Sequence, residues 1–305
     1  MPVAPAYLTI VLVWSTTPLA ITWSAETMSP VAALGVRMVL AAVLGWLMLL
    51  ALSIRISWER DALRTYLFSQ LGIVGAMLCV YSASQFIPSG LISVLFAISP
   101  LLSGGFAYVL LGEKNFSTDR ILAFFISFLG LSAICLDGVV VDGEGWKGVV
   151  LLLFGVSLYS LSGVKVQQVG YQGNPLAITV GSVLMSVPFF ALAWLVMDGN
   201  LPEWNWESRS PYAVIYLAVF GSLLGFCAYF FLLKVAGAAA VAMVTLLTPA
   251  LALILGALVN GEVISFRIYA GTGLILCGLF LYYRKLLLGK RANVGEPSNA
   301  SKEGV

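Results

Sequence analysis

Arg37 is the one charge that falls well inside an apolar stretch, about seven residues in from the start of its run at Pro30. A guanidinium there costs roughly 2.5–3.5 kcal/mol on insertion scales, and such residues usually face inward and serve a function. Its fixed fork of donors could hold a substrate carboxylate or phosphate. The structural alternative is snorkelling from ~10 Å depth by helix rise, or pairing with carbonyls freed near a proline. Other apolar runs carry aromatic and small polar residues that could line a solute cavity: Trp14, Ser15, Thr16 and Thr17 beside Pro18; Tyr81, Ser82, Ser84 and Gln85; Tyr159 and Ser160; Tyr229; Thr245 and Thr248. Such a lining suits a neutral or zwitterionic solute with apolar parts, held by a few oriented hydrogen bonds. Ser and Thr also bond their own helix, and aromatics also mark interfaces, so the set carries more weight than any member.

Absent residue types narrow the chemistry. The chain has no histidine, which removes Ser-His-Asp triads, HExxH zinc sites and most imidazole acid–base schemes. No Asp or Glu falls mid-run, and there is no Walker loop, dinucleotide glycine pattern or Cys-His cluster. Cys79, Cys135, Cys227 and Cys277 read as small apolar residues rather than a disulfide framework or metal site. Neither an enzyme nor a cofactor or metal is expected, and no basic, aromatic-interleaved segment suggests nucleic acid.

The elements that must position these residues follow from composition. Of 305 residues, 60% are apolar and 10% charged, with a mean hydropathy of +1.00. A membrane helix needs ~20 apolar residues, and the chain supplies run after run, without the alternating pattern of barrel strands. The fold expected is an all-α membrane protein with spans near 4–24, 30–52, 67–86, 89–111, 120–137, 146–165, 175–197, 211–234, 237–259 and 266–286. The first lacks the basic start and cleavage site of a secretory signal and reads as a retained helix. The tail 287–305 is polar and expected to be disordered.

Lys and Arg in the short loops set an orientation. With the amino terminus inside, Arg55, Arg60, Arg64, Lys114, Arg120, Lys165 and Lys234 are cytoplasmic, as are Arg284, Lys285, Lys290, Arg291 and Lys302 in the tail. Only Lys147, Arg209 and Arg267 remain outside, where Asp137, Asp142, Glu144, Asp198, Glu203 and Glu207 cluster. That bias fits ten helices with both termini cytoplasmic.

The chain also repeats itself. The stretch from Ser89 to Arg120 has a second version from Ala236 to Arg267, each with a proline (Pro100, Pro249) thirteen residues before the acid of a Gly-Glu pair, Gly112-Glu113 or Gly261-Glu262. Trp14-Ser15 and Pro30 are echoed 145 residues on by Tyr159-Ser160 and Pro175; Cys79 and Tyr81 are echoed 148 on by Cys227 and Tyr229. Five helices per half is an odd number, so the second copy (141–286) would enter the membrane inverted relative to the first (1–140), the arrangement that underlies alternating access. Pro100 and Pro249 break the helix ladder and could act as hinges. Glu113 and Glu262 read as helix-end anchors in water at opposite faces, each needing a basic or amide partner because the dipole disfavours an acid there.

Trp14-Ser15, Pro30 with Arg37, Pro100 with Gly112-Glu113, and Pro249 with Gly261-Glu262 resemble EamA-type exporters of the drug/metabolite transporter superfamily, over about residues 4–286. The resemblance implies ten helices in two inverted repeats and a secondary exporter of the cytoplasmic (inner) membrane. It also includes an Arg at position 37 whatever the solute, which tilts Arg37 toward the structural reading. The second half departs from the first in having Ser182 at the place matching Arg37. Small multidrug transporters, distant relatives by resemblance, use a glutamate in the first helix, and residues 4–24 hold no acid. An amino acid or related neutral or anionic metabolite is therefore expected over a cationic drug, which cation–π contacts keep as the alternative. A non-transporting membrane sensor or assembly protein is the rival of another class. The expected partners are the lipid bilayer and a small solute, with a homodimer left open. Gly221 and Gly225, and Ala252 and Gly256, read as small-residue pairs for close helix approach.

Overall fold

A computed structural model describes residues 3–112, 118–137, 143–242 and 244–289, and among them every regular element is helical. In chain order these are α1 Val3–Ser24, α2 Pro30–Ala51, α3 Arg60–Ala83, α4 Ser89–Leu111, α5 Thr118–Cys135, α6 Gly145–Val169 and α7 Pro175–Met197. The rod α8 joins Ser210–Tyr216, Leu217–Leu224 and Gly225–Ala242; α9 is Val244–Asn260 and α10 Phe266–Gly289. Seven of the helices are long and apolar enough to cross a membrane, and Ile121–Cys135, Leu247–Asn260 and Phe266–Tyr282 are shorter apolar segments. Large apolar side chains such as Leu12, Phe125, Phe128, Leu195 and Val196 point outward. That surface suits lipid rather than water.

Local chemistry explains the starts and interruptions. Ser29 and Asn174 cap α2 and α7, their side chains accepting from the amides of Ala32 (3.1 Å) and Leu176 (2.9 Å). Each is followed by a proline at the first helical position, where the missing amide costs nothing. Glycines end α4 and α9: Gly112 (φ 67°) and Gly261 (φ 63°) take the left-handed conformation that L side chains resist. Both α3 and α8 contain a π-helical stretch, Leu71–Ala76 and Leu217–Leu224, at corresponding places in the two halves.

Two expectations about extent are corrected. The third helix begins at Arg60, not near 67, because Arg60, Asp61 and Arg64 form an exposed, ion-paired first turn that an apolar window excludes. The eighth continues to Ala242 rather than stopping near 234, because alanine, the best helix former, dominates the continuation and outweighs Gly237.

Loop contacts sort into two faces. On one, Arg209 pairs with Glu26 (2.6 Å), Ser29 donates to Asp198, Trp23 Nε1 donates to Asn260 (3.0 Å), and Arg267 donates to the Leu136 carbonyl (2.7 Å). On the other, Lys234 donates to the Gln172 carbonyl (2.9 Å) and Gln168 to the Leu110 carbonyl (3.3 Å). Successive helices therefore run in opposite directions, and α6 runs opposite to α1. Side by side, α5 packs on α10, α2 on α7 and α4 on α9, while α1 lies on α8 and α9 as α6 lies on α3 and α4. The partners exchange half for half.

The α5–α10 seam is made of glycines. A Cβ on Gly130 would strike the Gly271 carbonyl, and one on Gly271 the Gly130 carbonyl. This is the close approach that small residues permit in membrane helices. The Gly221–Gly225 pair, by contrast, makes room for side chains rather than for another helix backbone.

The capping of α2 is testable. Ser29 and then the Asn200 amide hold the Asp198 carboxyl below the usual carboxylate range. That contribution is complete above the unfolded pKa and is lost as pH falls through the lower folded value. Ser29→Ala should cost about 1 kcal/mol through the lost cap and should flatten the acid limb of thermal stability. Unfolding of purified protein from pH 7 to 3 checks both, and parallel acid limbs would exclude the Ser29–Asp198 link.

Candidate functional site

A cavity of about 120 Å³ lies between the halves. Its wall comes from α1 (Trp14, Thr17, Pro18, Ile21), α2 (Arg37), α3 (Met77, Val80), α4 (Ile92 to Ser103), α6 (Tyr159, Gly163, Val164), α8 (Gly221, Phe226, Tyr229, Leu233, Val241) and α9 (Thr248). Most of that wall is apolar, with a few hydroxyls and one charged group. That is the make-up of a small-molecule site.

Arg37 is that charged group, and it is 1% exposed. Its Nε donates to Ser222 Oγ (2.9 Å) and its Nη1 to the Tyr81 hydroxyl (3.3 Å). Both partners are neutral, and among the described residues no carboxylate pairs with it. Ser222 and Gly221 sit in the π-helical stretch of α8, whose widened turn brings neighbouring residues onto one side. The guanidinium neither snorkels nor uses carbonyls freed by a proline, so those two structural explanations are set aside.

The aromatic residues converge. Trp14 lies 6.2 Å from Tyr159 and 6.0 Å from Tyr229, Tyr159 lies 5.9 Å from Tyr229, and Phe96 lies 5.7 Å from Tyr159. Trp14 and Tyr159, read as counterparts from sequence, thus meet across the boundary of the halves. These separations fall in the range favoured by aromatic pairs. The Tyr159 hydroxyl is buried beside that of Tyr229, and both residues line the cavity, so the pair could serve a solute.

Helix α4 is interrupted at Ala97–Ile98, just before Ser99 and Pro100. Proline lacks the amide that would bond Phe96, and its ring crowds that carbonyl. Ser160 Oγ reaches the Ser99 carbonyl (3.2 Å) and Oγ (3.1 Å), tying α6 to the break. Pro249, by contrast, lies inside an unbroken α9 and does not line the cavity.

The remaining expected residues separate. Trp14, Thr17, Arg37, Tyr159, Tyr229, Thr248 and Pro100 line the cavity. Ser15 does not: it is buried and bonds the Val11 carbonyl of its own helix. Tyr81 is fully buried behind the wall as a partner of Arg37, and Ser160 is spent on Ser99. Gln85 is exposed in the turn after α3, because that helix ends at Ala83. The Thr245 side chain and all of Glu113 lie outside the described residues. Sequence reasoning missed Ser93, Ser99 and Ser103 on α4, although hydroxyls recurring around Pro100 were a readable signal. It also missed Ser222 and Gly221, which nothing local marks.

Glu262 does not stand free in water at its helix end but takes amide partners. Oε1 accepts from the Ser89 amide (3.0 Å), Ser89 Oγ (2.7 Å) and Asn260 Nδ2 (3.0 Å), and Oε2 accepts from the Gly90 amide (3.2 Å). The carboxylate at the end of α9 therefore caps the amino end of α4, where the dipole favours it. With Trp23 on Asn260, this network ties the end of α1, the start of α4 and the end of α9 together.

A sequence model of the EamA-like transporter family matches residues 3–136 and again residues 146–284. An uncharacterized transporter of Archaeoglobus fulgidus is 22% identical over 89% of this chain and 95% of its own. The uncharacterized inner membrane transporter YedA of Escherichia coli is 25% identical over 92% of this chain and 90% of its own. A solved crystal structure superposes with a TM-score of 0.69 at 17% identity, covering 95% of this chain and 98% of that one. The last likeness concerns the fold.

Ser222→Ala should lower stability by roughly 1.5–3 kcal/mol, the cost of removing a hydrogen bond to a buried charge. Denaturant unfolding in detergent checks this; a loss within about 0.5 kcal/mol, the range of uninvolved surface substitutions, would mean that Ser222 does not hold the guanidinium.

Proposed function

The chain belongs to the EamA-like transporter family, and on that premise we propose that it is a secondary exporter in the cytoplasmic (inner) membrane. Its cargo is a small metabolite, an amino acid or a related neutral or anionic solute. The observation that carries this reading is the cavity walled by both halves, with aromatic rings, hydroxyls and a buried cation. The names of the relatives, transporters in A. fulgidus and E. coli, support the class. The only charged group in the described wall is basic, which favours an anionic or neutral cargo over a cationic drug.

Ten helices cross the bilayer in this reading, as two inverted sets of five with both termini cytoplasmic. The half-for-half packing and the opposed directions of α1 and α6 support the inversion. The excess of Lys and Arg on the opposite face supports a periplasmic mouth at the network of Trp23, Asn260 and Glu262. Access alternates as that mouth and the opposite one open in turn. A broken α4 facing an unbroken α9 supports two halves in different conformations.

Purified protein in liposomes tests the transport reading. Saturable flux of an amino acid or organic acid is expected; flux of lipophilic cations alone would move the assignment to a drug exporter, and no flux across a coupled panel would favour a sensor. The gate has its own check. In a background without native cysteines, Ser93→Cys should react several-fold faster with an impermeant periplasmic thiol reagent once Glu262→Gln is added. Unchanged labelling would rule out Glu262 as part of the closed mouth.

A further inference from the structure

The Arg37 guanidinium is held but not neutralised, and the wall leaves one part of it open. Nε and Nη1 are taken by the hydroxyls of Ser222 and Tyr81. Nη2 faces Gly221, where a Cβ would come within 3.0 Å of it. The same Cβ would meet Leu217 Cδ2 at 3.3 Å, so the guanidinium edge packs directly over the glycine. One turn further along α8, a Cβ on Gly225 would come within 3.4 Å of Trp14 Nε1. Residues four apart share a helix face and are separated by ~6 Å of rise. The two glycines thus set a guanidinium edge and an indole N–H one turn apart beside the cavity. The next ring in that direction is Tyr229, 6.0 Å from Trp14.

We propose that Arg37 Nη2 and Gly221 form an anion subsite, and that the transported solute carries a carboxylate there while its apolar body lies among Trp14, Tyr159 and Tyr229. This rests on the transporter reading and deepens it by naming the substrate class. A buried guanidinium with neutral partners has its desolvation uncompensated, and a carboxylate oxygen supplies the missing charge through a charge-assisted hydrogen bond. A single open cationic edge, with only hydroxyls and the Trp14 indole as the other polar groups of the wall, suits a monoanion with an apolar body rather than a phosphate dianion. Gly221 is the specificity residue: a Cβ there crowds Nη2 and shifts the guanidinium edge away from the carboxylate.

The test compares matched acids and amides, 3-indolepropionate with 3-indolepropanamide and phenylalanine with phenylalaninamide, by calorimetry on the purified full chain. Wild type should bind each acid at least about tenfold more tightly than its amide, the range of a hydrogen bond to a charged group. Gly221→Ala, whose Cβ crowds Nη2, should lower the affinity for the acid more than that for the amide, and Arg37→Gln should do the same. Arg37→Lys, which keeps a buried cation, should retain part of it. Equal binding of acid and amide by wild type, or no acid binding up to 10 mM, overturns the subsite without reference to any variant. Equal loss for both ligands in Gly221→Ala, with the fold intact, would do so too. Acid-selective binding with no acid flux in liposomes would instead overturn the transport reading and leave the subsite standing.

Discussion

Hydrocarbon offers no water to a free amide or carbonyl, so a chain this apolar stays helical except where another part of the protein supplies the missing partner. The irregular places here follow that rule. The break in α4 has Ser160 on the Ser99 carbonyl, and the start of α4 has Glu262 on the amides of Ser89 and Gly90. Just before the π-helical stretch of α3, Ser162 Oγ reaches the Phe68 carbonyl (2.9 Å), and Gly72 leaves room for it. Three of these partners come from the other half of the chain. Interruptions and inter-half contacts thus coincide, and they surround the cavity. A site in a membrane protein can be irregular only where it is also braced.

The duplication shapes this bracing without making it symmetric. α2–α7, α4–α9 and α5–α10 are counterparts in mutual contact, so the relation between the halves runs through these pairs. Trp14 and Tyr159 meet across the same boundary, which is why one aromatic from each half lines a common space. Arg37 breaks the pattern, since Ser182 occupies the matching place. Ser182 is fully buried, and its hydroxyl has no partner among the described residues. The second half therefore holds a small neutral group where the first holds a cation, and only the first half gives the cavity wall a charge.

How much of this the sequence disclosed depends on the range of the cause. The starts of α2 and α7 were legible because Ser29-Pro30 and Asn174-Pro175 act within one turn, and Gly112 and Gly261 ended helices for the same local reason. The EamA-like membership was legible because its marks are spread along the chain. By contrast, α3 begins in charges that an apolar window rejects. Gln85 was misplaced because three residues at the end of α3 decide whether it points inward or into solvent. Gly221 and Gly225 were read as a helix-packing pair, yet they clear space for side chains of α1 and α2. That depends on residues more than 180 positions away. Glu262 showed its need for an amide partner in sequence, but only the fold identifies Ser89 and Gly90.

The choice of hydroxyls around Arg37 has a physical consequence for a binding site. A carboxylate from the wall would have made a permanent ion pair, and the charge would have had nothing left to offer a solute. Ser222 and Tyr81 fix the direction of the fork while leaving its charge intact, as a planar guanidinium with several donors allows. The cost of that arrangement falls on the empty protein, which must keep a cation out of water. A solute that brings the opposite charge removes the cost, whereas a neutral solute of the same shape leaves it in place. Discrimination of this kind needs no acid in the wall, and it explains why the aromatic rings, which bind apolar bodies with little selectivity, can be the larger part of the cavity.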